Sequence, residues 1–475
     1  MGIDEKYSQA LGELFDGIDN GDFNDVTAIP EKYKFSHLVA LFHFAPHLDG
    51  GTTLFEQLYD MAIANGKAHI KEKIKNKEKI NVAFSLYSAS IWNSEKLYRA
   101  LEQDDRFNVY IIVSPNNDNF EEYEKAYCYF KQNKYNVKGV YNFATESFLT
   151  WDDFGGYPDI HINLSSWYGA YPESFQFINI PLRCINIYVP YAFYVAENPN
   201  ISFTEKFVYN KEIMNLVWRL YVESQYTKSQ HETYQLLHGK NVVYSGFLKL
   251  DEFYDKKKYT DEDLKNIWSI PKENNPSEIK KIIIAPHWTV GQNELLPFST
   301  FRQNYKFLYE LAKENKDLAF IFKPHPNLRT EAVYSGMFKD FEAYDKYIAK
   351  WNALPNAKVV TESSYIDIFK TSDAMIMDSG SFIGEYQYAH KPLLYLTRPE
   401  QAFTELGQRI MDTYYKVPGD DYKGINAFVK NVVRNGDDPK KKDRDAIFNA
   451  ELDYKKINGC LAWEMIYKDI ESLFE

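Results

Sequence analysis

The stretch from Asp373 to Thr397 constrains the fold most. Ala374, Met375, Ile376 and Met377 form a short apolar run, long enough for one buried parallel strand. Asp378-Ser379-Gly380-Ser381 breaks that run with small polar residues. Residues 382–389 can continue as a helix, with Ser381 as its N-cap. Lys391-Pro392 ends the helix, and residues 393–396 begin a second buried strand. A strand-turn-helix-strand unit of this kind puts its turn at the carboxyl end of a parallel sheet. Free N–H groups and the positive end of a helix dipole at such a turn favour a phosphate. Gly380 allows close backbone approach, Ser379 and Ser381 offer hydroxyl donors, and Glu385 could accept from two ribose hydroxyls. An ordinary capped helix accounts for the same residues, since short motifs recur by chance.

Length makes this unit one of several. A chain of 475 residues exceeds one ordinary core, so two domains are expected. Strands are expected at 80–86, 109–113, 159–164, 183–189 and 241–244, with helices at 88–103 and 120–134; residues 216–222 suit either. A charged, Asn-rich segment ending Pro271-Lys-Glu-Asn-Asn-Pro276 marks the junction. A second alternating set follows, with strands at 281–286, 318–322, 358–361, 374–377 and 393–396. The expected organisation is an α/β chain: an N-terminal helical segment (1–78), two Rossmann-like doubly wound domains (79–255 and 277–435) and a C-terminal helical region (436–475) packing back on them. In that last region residues 458–474 form one helix, with Leu461, Ile466, Ile470 and Leu473 as its packing stripe. Two such domains leave a cleft between facing carboxyl edges, where these sheets bind ligands.

Composition narrows the function classes. With 45% hydrophobic and 26% charged residues, the chain has a soluble globular balance. A net charge of −12 argues against a nucleic-acid partner. Three widely spaced cysteines, Cys128, Cys184 and Cys460, form neither a zinc pattern nor a disulfide framework, which fits a reducing cytoplasm. No apolar run reaches membrane-spanning length and the N-terminus lacks a signal-peptide pattern, while peripheral membrane contact stays open. The basic run at 67–79 is best explained as a solvated helix face. No metal-ligand cluster is visible, so no tightly bound metal or cofactor is expected, leaving room only for a loosely held Mg²⁺.

Two further strand ends carry candidate chemistry. Residues 318–322 run straight into Lys323-Pro324-His325-Pro326-Asn327, a cationic tip stiffened by two prolines. Such a tip suits phosphate binding or proton transfer near neutral pH. Ile284-Ala285-Pro286 leads into His287 on the same edge, as an acceptor or phosphate contact or as packing. Ser363-Ser364 precedes Asp367 at capping-box spacing and shares that edge. His161 within 159–164 reads as a satisfied core histidine.

Taken together and in order, these segments resemble the CDP-glycerol glycerophosphotransferases, the teichoic-acid and capsule polymerase enzymes. The resemblance rests on Lys323-Pro-His-Pro326, Ser363 to Asp367, Asp378-Ser-Gly-Ser381 with Glu385, and Lys391-Pro392. Gly246 with Asp251, Ala285-Pro-His-Trp288, Val417-Pro-Gly419 and Gly459-Cys-Leu-Ala462 extend it. It implies a GT-B fold and transfer of a polyol phosphate from a CDP-activated donor to a glycan or polyol-phosphate acceptor. It further implies that His325 contacts the donor diphosphate or assists proton movement. Lys323, Ser379, Gly380 and Ser381 would bind phosphate oxygens and Glu385 the ribose, with Ser363 and Ser364 as further nucleotide contacts and His287 as the second catalytic candidate. One departure stands out: the family's first-domain Trp-His-Gly motif falls where this chain has Tyr188-Val-Pro-Tyr191. The second-domain pattern also resembles UDP-N-acetylglucosamine 2-epimerases and other GT-B sugar transferases. A non-catalytic nucleotide-binding subunit is the third reading.

Overall fold

A computed structural model describes residues 5–197, 208–291, 296–361, 364–380 and 382–475. Two compact units divide the chain. The first comprises Met1–Tyr191, Glu205–Lys249 and Tyr454–Glu475; the second comprises Ala192–Thr204 and Leu250–Asp453.

The first unit is built on a parallel seven-stranded sheet of β1 (Ile80–Leu86), β2 (Phe107–Val113), β3 (Val137–Gly139), β4 (Ile160–Asn163), β5 (Ile185–Tyr188), β6 (Arg219–Val222) and β7 (Val242–Tyr244), in the order β7-β6-β5-β4-β1-β2-β3. Three N-terminal helices belong to it: α1 (Glu5–Asp19), α2 (Phe35–Phe44) and α3 (Gly51–Lys75). α2 is apolar nearly all round, and Leu38, Val39, Ala40 and Leu41 are fully buried. The basic run at 67–79 is a solvated face, as expected, for most of its lysines. Lys71, Lys75, Lys77 and Lys79 are exposed. His69 and Lys73 instead turn onto Asp159, each at 2.7 Å. Asp159 is 2% exposed, and a buried carboxylate needs such partners.

Local chemistry also moved several boundaries. The helix expected at 88–103 forms only over Glu95–Glu102. Ser88 Oγ accepts the Ser90 N–H at 3.1 Å and winds Ala89–Ile91 into a separate tight turn. Residues 216–222 divide between a helix ending at Leu216 and β6. The last helix begins at Ala462 rather than 458, because Gly459 sits at φ +74°, a conformation that interrupts a helix. Ile466, Ile470 and Leu473 are fully buried, as their spacing implied. His161 is a core residue: Ser85 Oγ lies 2.6 Å from its Nε2 and Asn186 Oδ1 lies 3.0 Å from its Nδ1. Burial pushes its imidazole down to about 4.

The second unit carries a parallel six-stranded sheet of β8 (Lys280–Ala285), β9 (Leu318–Phe322), β10 (Ala357–Val359), β11 (Ala374–Met377), β12 (Leu393–Thr397) and β13 (Tyr415–Pro418). Its order is β10-β9-β8-β11-β12-β13. Counted from β8, that is the doubly wound order of a nucleotide-binding sheet, with its reversal between β8 and β11. Ile282, Ile284, Phe320, Phe322, Ile376 and Leu394 form the core face of the sheet, and Phe301, Leu308 and Trp351 pack on it. The expected fold class is therefore borne out: α/β, two doubly wound parallel-sheet units and N-terminal helices. β13 was not anticipated, because its residues alternate between half-buried and exposed instead of forming an apolar run. Among the described residues, no helix is long and apolar enough to cross a membrane.

Candidate active site

The sheet reversal of the second unit is where its chemistry collects. β8 and β11 run side by side, with Ala285 opposite Met377. The chain leaves β8 through Pro286 into His287 and leaves β11 directly into Asp378. Asp378 is 1% exposed, and its carboxylate binds both neighbouring segments together. Oδ1 accepts the His287 N–H at 2.6 Å. Oδ2 accepts the Thr300 N–H at 2.5 Å and the Thr300 hydroxyl at 2.9 Å. Burial pushes the carboxyl up to about 6 against those hydrogen bonds.

Both candidate histidines lie here. His287 is 5% exposed, and its Nδ1 lies 2.8 Å from Thr289 Oγ1. Burial, then the neighbouring His325, pushes its imidazole down to about 3. His325 follows β9, and its ring centre is 5.7 Å from that of His287. Its Nδ1 accepts the Asn327 N–H at 3.2 Å. Burial and the Lys323 ammonium push His325 down to about 4. Both rings are therefore uncharged at neutral pH.

A second line of contacts joins three strand ends. Lys323 is 7% exposed, and its Nζ lies 5.4 Å from the centre of the Tyr365 ring. The Tyr365 hydroxyl donates to Glu385, which is 3% exposed. Lys323 comes from the end of β9, Tyr365 from the segment after β10, and Glu385 from the helix Phe382–Glu385 after β11. Burial, then the Glu385 charge, holds the Tyr365 phenol well above its usual range, so it stays a proton donor.

The turn after β11 is closely packed. Ser379 is 5% exposed. A Cβ on Gly380 would lie 3.0 Å from Ala196 Cβ, and one on Gly384 would lie 2.7 Å from the Phe193 ring. Ala196–Glu197 pairs antiparallel with Ala402–Phe403, which holds that covering segment in place. Ser381 and Ser363 lie outside the described residues, as does the N-cap expected of Ser381. Ser364 is exposed, and the capping box expected of it does not form. Tyr365 takes the N-cap position without a side-chain bond. Asp367 instead pairs with Lys257 Nζ at 2.6 Å and accepts the Tyr259 hydroxyl at 2.6 Å. Two cooperating donors outcompete one local amide.

Sequence reasoning thus placed Lys323, His325, His287, Ser379, Gly380 and Glu385 on one sheet edge, and the structure brings them there. It missed Asp378 as the clamp, together with Thr300 and Tyr365. A lone Asp directly after a buried strand was the one available signal. Among the described residues, no group of His, Cys, Asp and Glu is arranged to hold a metal.

Residues 194–469 match the family model described as CDP-Glycerol:Poly(glycerophosphate) glycerophosphotransferase, more than half of the chain. The chain belongs to that family. It is an enzyme of the glycerophosphotransferase class, and transfer of glycerol phosphate from CDP-glycerol is the activity that the family's description names. Among solved structures, the wall teichoic acid polymerase TagF is similar at 13% identity, with a TM-score of 0.52, over 90% of this chain and 100% of that one. A variant of TagF is similar at 12% identity and the same TM-score of 0.52, again over 90% and 100%. A UDP-GlcNAc 2-epimerase from Neisseria meningitidis has 13% identity and a TM-score of 0.49 over 83% of this chain and 100% of that one. The two TagF likenesses concern the fold, which is of GT-B type. No curated protein matches the chain.

Proposed function

We propose that this glycerophosphotransferase binds the CDP-linked donor at the β8–β11 reversal of its second unit. The observation that supports this is the convergence of Lys323, His325, His287, Ser379 and Glu385 on the carboxyl edge of one doubly wound sheet. Ligands of such sheets bind there. The acceptor's hydroxyl oxygen attacks the donor's β-phosphorus, a new P–O bond forms, and the P–O bond to CMP breaks. Lys323 and the amides of the Ser379-Gly380-Ser381 turn take up charge on the phosphate oxygens. Glu385, oriented by Tyr365, takes the ribose, and Ser363, Ser364 and His287 border the donor. Burial holds His325 down, and the Lys323 ammonium adds to it; the donor's negative charge counters that second contribution. Donor binding therefore raises His325 toward the range in which an imidazole accepts a hydroxyl proton. We propose no resident metal; Mg²⁺ would enter loosely with the donor diphosphate.

The product belongs to surface-polymer synthesis, teichoic acid or capsule. The reaction would run on the cytoplasmic side, with the enzyme peripheral to the membrane. The acceptor is a glycan or polyol phosphate. Incubation with CDP-glycerol and with UDP-sugars, followed by identification of the released nucleotide, tests the reading. CMP is expected; release of CDP or UDP without CMP would show a glycosyltransferase instead. His325→Ala is expected to lower kcat at least tenfold with little change in donor binding, and unchanged turnover would remove His325 from the mechanism.

A further inference from the structure

A cavity with a volume of about 830 Å³ lies in the first unit. It falls within the size range of small-ligand sites. It opens between the end of α2, the loop after β4, the residues leading into the helix Glu212–Leu216, and the end of the helix Gln225–Tyr234. Its walls are aromatic. Phe42 and Tyr168 line it, and Trp167 is 51% exposed in it, among the most exposed large apolar side chains described. A half-exposed indole on a concave surface is a platform seeking an apolar partner.

The polar groups of this cavity are balanced. Lys211 Nζ sits 3.6 Å from the centre of the Trp167 ring and 3.5 Å from Ser166 Oγ. Burial holds that ammonium below the usual lysine range. The adjacent Glu212 bonds His43 Nε2 at 3.1 Å. Burial pushes the Glu212 carboxyl up, but His43 and a backbone N–H outweigh it and leave it below the usual range. One ammonium and one carboxylate thus stand side by side. A polyphosphate chain would meet Glu212 as well as Lys211, so the cavity gives a polyanion no net attraction. A pyranose ring fits better. Its C–H face covers an indole, and its hydroxyls both donate and accept, as the lysine, carboxylate, imidazole and serine around the rim require.

We infer that this cavity binds a neutral sugar unit, and that in the phosphotransferase reading it holds the glycan portion of the acceptor. This assignment of the acceptor rests on that reading; the sugar site itself does not.

The full-length protein is probed on a printed array of neutral oligosaccharides, with a synthetic oligo(glycerol phosphate) as the anionic control. Binding of the strongest oligosaccharide is then measured by ligand-observed NMR for the native protein, Trp167→Ala and Trp167→Phe. The expected result is binding that is indifferent to added salt, weakened tenfold or more in Trp167→Ala and partly restored in Trp167→Phe. CDP-glycerol binding, followed by calorimetry, stays unchanged in both variants. The inference is overturned if no neutral oligosaccharide binds, if only the oligo(glycerol phosphate) binds and salt abolishes it, or if Trp167→Ala binds sugar as the native protein does. Loss of CDP-glycerol binding by the native protein would sink the donor assignment alone, leaving a Trp167-dependent sugar site in place.

Discussion

Asp378 permits a worked prediction, because its carboxylate ties the His287 and Thr300 amides to the end of β11. Replacing it with Ala strands the buried N–H groups of His287 and Thr300. At about 1–3 kcal/mol for each unpaired donor, the loss is about 2–6 kcal/mol before any cavity effect. Asp378→Asn keeps the shape and one oxygen, so one side alone is stranded, at about 1–3 kcal/mol. The Asn variant also escapes the cost of ionising a buried acid. The folded carboxyl is raised from 3.8 to about 6. That shift corresponds to about 3 kcal/mol of destabilisation, present in full above pH 6 and relieved as pH falls through 6 toward 3.8. The two effects nearly cancel at about pH 7.5, so Asn should lie close to the native protein there while Ala falls well below. At about pH 5 the native carboxyl is protonated, and the native protein should gain about 1–2 kcal/mol on the Asn variant. Urea unfolding at both pH values measures these gaps, and hydrogen exchange at the His287 and Thr300 amides localises them. An Ala variant as stable as the native protein, or a native–Asn gap that ignores pH, would refute the clamp.

Tyr365→Phe removes the hydroxyl that donates to the buried Glu385. It should cost about 1–3 kcal/mol in urea and weaken CDP binding measured by calorimetry; unchanged values in both would separate Tyr365 from Glu385. Gly384→Ala places a methyl 2.7 Å from the Phe193 ring, so overpacking of about 1–3 kcal/mol should appear as a lowered Tm. His161, His231 and His287 are held down to about 4, 3 and 3 by burial. The unfolded chain then takes up protons first, so stability should fall as pH drops from about 6.5 toward about 4, with Asp378 opposing part of the fall. A Tm that is flat across that window would contradict the buried neutral state of these rings.

Much of this architecture was legible because parallel strands buried on both faces need apolar runs, and such runs are visible at 80–86, 318–322 and 374–377. The candidate edge was legible for a related reason: Lys323, His325 and Ser379 lie directly after those runs, so placing the strand places the residue. Where the apolar run failed, so did the reading. β13 alternates and was missed, and 88–103 looked helical because the Ser88–Ser90 bond that divides it leaves no periodic trace. The Ser364–Asp367 spacing misled because Lys257 and Tyr259, more than a hundred positions away, bind Asp367 more strongly than a local amide.

Hydrophobic pattern alone settled the fold class of this chain, two doubly wound α/β units, and the strand-end motifs in their order carried the resemblance to the glycerophosphotransferase family, since burial period and strand-end chemistry are local properties. Tertiary structure alone decided which polar groups meet. Asp378 with Thr300, Tyr365 with Glu385, and Lys211 over Trp167 are pairs set by how strand ends and loops converge. Neither partner's sequence neighbourhood encodes the other, so contact in space had to supply what spacing along the chain does not carry.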